Sequence, residues 1–502
     1  IDLGVRELGV LAHAEAGVDR QDRHEPVLEP GLLGGGRHPG EGLEAPVDLK
    51  RVGRHRDGAL AARAPAIGER EGERGLADPR RPEDCEQRGG AAAAPRWGRV
   101  PRVVVGRHPR SIVRLVSVRI GCGLSTSPDP RVAAIEAGTQ ARSRLGGAGA
   151  DVVFVFSAGT HLAAPEATIE GVQEALDPPT LVGCGAGGVL GEGREIEHGT
   201  AVAVWAAALG GGSAEAFHAE AIETPDGTAV TGLAELDDAS AIVLLPDPVS
   251  FPTAAVLDEL GRRAPAVPIL GGLSSGRTPD GDAVLFVGDR VVSGGAVGVR
   301  FDGVEVLPCV SQGAAPVGPE LTVTSADGNL IRELAGRPAL ERLRDAIDEL
   351  TERERGMVAN GLLLGIVIDG GKPEYRQGDF LVRGLVGADP ERGTVAVGAP
   401  VTAGTVVRMH ARDARSADRD LRDALGLRLE ALGGTAPAGA LVFTCNGRGR
   451  SMFGVADHDA SALAEELAGA PAAGFFAAGE IGPVGGDPFL HGFTAPVAVF
   501  PA

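Results

Sequence analysis

A thiol, a guanidinium, a carboxylate and an imidazole fall within one short stretch of this chain. Cys445, Asn446 and Arg448 follow an apolar run at 441–443, in the order Thr444-Cys445-Asn446-Gly447-Arg448-Gly449. Glu480 follows a second apolar run, 472–476, in Ala477-Ala478-Gly479-Glu480-Ile481-Gly482-Pro483, and His491 precedes a third, 495–500. Each group lies where an apolar strand gives way to glycine, the residue that lets backbone amides approach a ligand closely. Loops held by a rigid sheet are where binding and catalysis concentrate.

Two chemistries follow from these types. Cys445 is a candidate nucleophile that His491 would activate and Glu480 orient, giving an enzyme on a small polar metabolite. That reading needs a lowered thiol pKa, whereas a lone cysteine at a strand end is more often a small buried hydrophobe. The preferred reading uses Arg448 and Glu480: an arginine fork takes a carboxylate through two parallel hydrogen bonds, and a buried glutamate can hold an ammonium group. Together they would recognise an amino acid or a similar small zwitterion, unless they pair with each other as a salt bridge.

Two glycine motifs are weaker. Gly183-Cys184-Gly185-Ala186-Gly187-Gly188 matches a dinucleotide fingerprint, but the charged, glycine-broken residues after it do not form the required helix. A tight turn that brings backbone to a ligand is expected there instead. Gly272-Leu273-Ser274-Ser275-Gly276 matches a nucleophile elbow, yet a turn, not a helix, follows the serine, so a polar hairpin loop is expected.

The elements that must position these residues recur in order. A strand at 151–156, a helix at 165–176, a strand at 180–182 ending in glycine and a strand at 200–208 form one unit. Residues 241–245, 253–263, 267–270 and 295–301 form a second, and 441–500 a third. Three copies of one unit predict an internally repeated α/β protein with layered mixed sheets, since a single unit could not close a core. Ahead of them, a strand at 118–124 runs into a Ser-Pro-Asp-Pro cap that should launch a helix over 131–145. Between the second and third copies, 326–329 should cap a helix over 330–355, followed by antiparallel strands at 362–368, 380–386, 394–397 and 405–409.

Three ordered motifs resemble the C-terminal part of the FIST family, bacterial sensory proteins: Cys445 to Gly449, Gly474 to Pro483, and Leu490-His491-Gly492-Phe493-Thr494. The runs Gly378-Asp379-Phe380-Leu381-Val382-Arg383-Gly384 and Val407 to Ala414, which contains Arg412, resemble the same part, and the region opening at Val118 is similar to its N-terminal part. The resemblance covers nearly all of 118–502 and none of 1–117. It implies a FIST N-terminal domain at 118–318, a FIST C-terminal domain at 319–502, and a sensory protein that binds a small ligand, an amino acid among the candidates. The ligand-binding set would be Cys445, Asn446, Arg448, Glu480, His491, Cys184 and Arg412. With no output region after Ala502, the protein is expected to stand alone and signal through a separate partner. Some relatives bind haem, so a gas sensor using His161, His410 or His491 as axial ligand is a further reading, although no attachment motif is present and no cofactor is expected.

Composition bounds the rest. The chain of 502 residues is 43% hydrophobic, enough for two or three cores. A net charge of -20 would repel phosphate backbones, which argues against a nucleic-acid partner. No apolar run approaches the roughly 20 residues of a membrane helix. Five scattered cysteines without C-x-x-C spacing argue against a disulfide framework or zinc cage and for the reducing cytoplasm. Residues 1–117 hold 20 basic and 18 acidic groups, no phenylalanine, and no period of 2 or 3.6, so they are expected to be disordered or a non-native upstream extension. Their five histidines match no ligand spacing.

Overall fold

Valine-rich runs such as Val152–Ala158, Ala201–Ala208 and Gly439–Cys445 carry no polar alternation, the pattern of strands buried on both faces, and all three are buried end to end. The computed structural model describes residues 47–48, 117–225, 227–359 and 361–502. The disorder expected for 1–117 therefore concerns residues that, apart from 47, 48 and 117, lie outside the described ones.

Three sheets share one plan. In the first, Arg119–Ser125, Ala201–Ala208, Val152–Ala158 and Thr180–Ala186 lie side by side, and the hairpin Leu285–Val287 with Arg290–Val292 completes the edge. In the second, Ser213–Thr224, Ala296–Asp302, Ala241–Pro246 and Ile269–Gly272 are completed by Glu480–Val484 and Asp487–His491. In the third, Leu307–Gln312, Thr494–Phe500, Gly439–Cys445 and Ala472–Ala477 are completed by Val189–Gly191 and Arg194–Ile196. Each unit thus lends its hairpin to another unit's sheet, in a closed cycle of three. The expected repetition is present, and the polar loops of the sequence reading contain the exchanged hairpins.

Register explains a glycine at the same point in each unit. The central strands pair in parallel, with Val155 opposite Gly183, Leu244 opposite Gly271 and Val442 opposite Gly474. A Cβ at any of these glycines would stand 1.8–1.9 Å from the carbonyl oxygen of its partner. Only glycine permits that approach.

The sheets' inner faces meet in one core, where Trp205 packs against Phe154 and Phe500, and Phe301 contacts both phenylalanines. Helices cover the outer faces. Pro130–Arg144 starts at Asp129, whose carboxylate accepts from the N–H of Val132 as the sequence predicts. Thr253–Arg263 covers the second sheet, and Ala414–Ala431 with His458–Glu466 the third.

A fourth sheet of seven strands is inserted in sequence between Leu307–Gln312 and Gly439–Cys445 of the third sheet and has its own core. The expected helix over 330–355 is corrected here. Leu330–Leu334 is a strand paired with Ala314–Asp327, because Gly328, at φ +58, and Asn329 make a two-residue hairpin turn between Asp327 and Leu330. A second tight turn at Ala335 and Gly336 follows, and helix begins only at Ala339–Asp348. The strands Leu362–Val367, Phe380–Asp389, Thr394–Val397 and Val406–Arg412 are antiparallel as expected.

Candidate ligand-binding site

Cys445 ends its strand, and the exchanged hairpin brings Glu480 beside it. The Glu480 side chain is fully buried, and its Oε2 accepts from the N–H of Thr494 at 3.0 Å and from its Oγ1 at 2.9 Å. Its Oε1 has no hydrogen-bonded oxygen or nitrogen partner, and the Cys445 thiol is the group next to the carboxyl. Burial pushes the Glu480 carboxyl up to about 8. Burial, then the neighbouring Glu480, pushes the Cys445 thiol up to about 12.

Arg448 does not pair with Glu480. Its Nε donates to Asp459 Oδ2 at 2.7 Å and its Nη2 to Oδ1 at 2.9 Å, while Nη1 is buried without a partner. Asp459 also accepts from Thr444 Oγ1 at 2.8 Å and has His458 Nδ1 at 3.0 Å from its Oδ1. The fork that the sequence reading offered to a ligand carboxylate is therefore occupied by Asp459. What Arg448 can present is its remaining Nη1 edge.

Two other arginines lack a carboxylate partner among the described residues. Arg412 lies with its guanidinium carbon 3.7 Å from the centroid of the Phe493 ring, and its Nε is buried without a partner. Arg383 donates only to main-chain oxygens, those of Val382 and Leu490, and burial lowers it to about 10. Both feel a group of the site: Arg383 the Glu480 carboxyl, Arg412 the Cys445 thiol. Phe493 itself is held at φ +66, a strained conformation for a bulky residue, with its ring against Gly447.

The remaining expected residues are dispersed. Asn446 is exposed, donates its N–H to Ala477 O at 2.9 Å, and has its side chain near Gly187. Cys184 is fully buried in the central core, where burial raises its thiol, and it does not face the Glu480 group. The fingerprint glycines end a strand and lead into a second strand at Val189–Gly191, with no helix between. In the elbow-like motif, Ser275 Oγ accepts from the N–H of Gly187 at 2.8 Å and donates to the carbonyl of Phe476, so this residue of the second unit ties the first and third units together.

His491 stands opposite Glu480 across the hairpin, but its Nε2 is bound to Gly482 O at 2.9 Å and burial lowers it to about 4. It makes no hydrogen bond to Cys445, so the nucleophile, base and orienting acid do not form a relay. Nor do the histidines fit a haem. His161 Nε2 is 3.0 Å from Ser127 O, and the His410 ring packs edge-on against Phe380 so tightly that a Cβ at Gly365 would stand 2.2 Å from it. The recess that His491 lines has essentially no open volume, so it cannot take a macrocycle.

Sequence reasoning missed Asp459, Arg383, Phe493 and Thr494. Arg383 had a signal, a charge inside the otherwise apolar run 380–385. Asp459 and the positive φ of Phe493 had none, because both depend on chain packing.

Internal comparison isolates this site. Register makes Ala158, Asp247 and Cys445 equivalent, each three residues beyond the residue that faces the conserved-in-place glycine, and it makes Val189, Leu285 and Glu480 equivalent. Two units thus place an aliphatic side chain where the third buries a carboxyl.

Comparison with known proteins agrees with this architecture. The FIST N domain matches residues 151–337 and the FIST C domain residues 339–483. An uncharacterised protein of Mycobacterium bovis is 44% identical over 384 residues, covering 76% of this chain and 99% of its own length. An uncharacterised protein of Mycobacterium tuberculosis, strain H37Rv, is also 44% identical over 384 residues, covering 76% of this chain and all (100%) of its own length. With two consecutive domain matches and relatives aligned along their full length, the chain belongs to the FIST family, whose domains are sensory modules that bind small ligands.

Proposed function

We propose that this protein senses a small polar metabolite that bears a carboxylate, an amino acid being the first candidate, at the Glu480, Cys445 and Arg412 group. The observation that carries the reading is the broken repeat. Val189 and Leu285 occupy the position of Glu480 in the other units, so the fold itself does not need a carboxyl there. Burying one is costly, and beyond the two bonds from Thr494 to Oε2 its Oε1 meets no nitrogen or oxygen donor, only the Cys445 thiol. Arg412 and Arg383 supply cations without carboxylate partners, and Glu480 supplies the group for an ammonium. The four described cysteines are all buried and unpaired, which supports a reducing, cytoplasmic setting. No helix among the described residues is long and apolar enough to cross a membrane.

The test is a thermal-shift screen of the full chain against amino acids, organic acids, nucleotides and haem. A ligand at 100 times its Kd should stabilise the fold by about 2.7 kcal/mol. A hit that Arg412→Gln and Glu480→Gln both remove supports the reading. A hit that neither variant weakens puts the ligand elsewhere and sinks this site.

A further inference from the structure

A cavity lies apart from Glu480. It holds about 800 Å³, within the usual range of small-molecule pockets. One wall is the loop before Ile269–Gly272, with Pro265 and Pro268; another is the strand Leu307–Gln312, with Pro308; a third is the exchanged hairpin, at Pro483 and Val484. The cavity is thus bounded by residues of both FIST domains. Prolines and valines give it rigid apolar walls that lose little entropy when a ligand orders against them.

Its floor is closed. Gln312 lines both this cavity and the recess beside His491, and its amide is committed on both ends: Nε2 donates to Phe380 O at 2.9 Å and Oε1 accepts from the N–H of Gly378 at 3.2 Å. Gln312 is thus held fixed between this cavity and the residues around His491.

One charge faces the cavity from the helix Ala414–Ala431. Arg428 forms no ion pair among the described residues, and its Nε is buried without a hydrogen-bond partner. That sealed Nε is out of a ligand's reach, but the half-buried Arg428 lines the cavity, and the Nη edge of a guanidinium without an ion pair takes a planar carboxylate through two parallel bonds. The Glu305 carboxylate also lines the cavity but lies beyond ion-pair distance of Arg428.

We propose that this cavity is a second binding site, for a carboxylic acid with a rigid apolar body, in which Arg428 takes the carboxylate and the proline walls take the body. The inference is independent of the ligand at Glu480.

Fluorine NMR of the full chain with para-trifluoromethylbenzoate as probe tests it. Saturable line broadening is expected, with Arg428→Gln weakening the probe by about tenfold or more, the loss of a charged hydrogen-bond pair. Val484→Trp, which fills the cavity without changing charge, should also abolish binding, while Arg412→Gln should leave it intact. The neutral probe para-trifluoromethylbenzyl alcohol should bind about tenfold more weakly. Absence of saturable binding to the unmodified chain, equal binding of the neutral probe, or an Arg428→Gln variant of unchanged melting temperature that binds normally would each overturn the proposal.

Discussion

Arg448 and Asp459 form a two-bond ion pair, at 2.7 and 2.9 Å, with both side chains sealed from water. Burial opposes the charge on each, yet Arg448 holds the Asp459 carboxyl well below the usual carboxylate range. Removing one partner leaves the other buried and uncompensated, so Asp459→Ala should cost about 3–5 kcal/mol in urea unfolding. The sign with pH follows. The folded pKa is depressed, so this stabilisation is present above the unfolded value of about 3.9 and is lost as pH falls through the folded value. Asp459→Ala should therefore unfold with less acid sensitivity than the parent.

Glu480 shifts in the opposite direction. Between the unfolded value near 4.5 and the folded value of about 8, the folded state keeps a proton that the unfolded chain has released. Stability should then fall as pH rises through that window, by up to about 1.4 kcal/mol per unit from this group. Glu195, raised to about 7 by burial and by Asp459, adds the same slope over a shorter window. Chemical denaturation from pH 5 to 9 should show a Glu480→Gln variant with a flatter profile up to pH 8, and Glu195→Gln with one flatter only up to pH 7. An unchanged slope in Glu480→Gln would mean that the carboxyl is ionised in the folded protein.

Cys445 should behave as a buried thiol, not as a nucleophile. With its thiol pushed up to about 12, it holds almost no thiolate at neutral pH. Iodoacetamide should label it no faster in the native protein than global unfolding allows, and Cys445→Ser should keep ligand-induced stabilisation. Rapid native-state labelling would restore the enzyme reading.

The three paired glycines predict a matched set of losses. A methyl group at Gly183, Gly271 or Gly474 meets a carbonyl oxygen in the neighbouring strand, so each Gly→Ala change should cost about 1–3 kcal/mol or more. Gly426, in the helix Ala414–Ala431, has nothing within 4 Å of an added Cβ, and Gly426→Ala should instead stabilise by up to about 1 kcal/mol. Thermal melts of the four variants decide the matter.

The glycines also mark what the sequence made legible. Apolar runs ending in glycine gave the three units and their order, because buried parallel strands leave a hydrophobic signature that needs no tertiary context. Cys445 and Glu480 were legible as polar residues at strand ends, and Arg412 only through the family resemblance of the run that contains it. The exchanged hairpins were not, since a short strand such as Val189–Gly191 takes its identity from the sheet it joins. For the same reason the partner of Arg448 could not be read: Asp459 reaches it from the helix His458–Glu466, whereas Glu480 belongs to a separate motif further along the chain. The helix expected over 330–355 failed on a hairpin turn, where Gly328 and Asn329 outweighed a helix-like run.

Hairpin exchange makes a last prediction about cooperativity. Residues 118–318 and 319–502, the two domains proposed from the sequence, each contain strands whose partners lie in the other: Val189–Gly191 pairs with Ala472–Ala477, and Glu480–Val484 with Ile269–Gly272. Either half alone would expose unpaired sheet edges and half of the shared aromatic core, where Trp205 meets Phe500. Each half expressed separately should therefore fail to give the sharp amide spectrum of a folded domain, and mixing the two should restore it. The intact chain, for its described residues, should melt in one calorimetric transition with equal calorimetric and van't Hoff enthalpies. Two well-separated transitions would show that the exchanged hairpins contribute little, and the halves could then be treated as independent sensors.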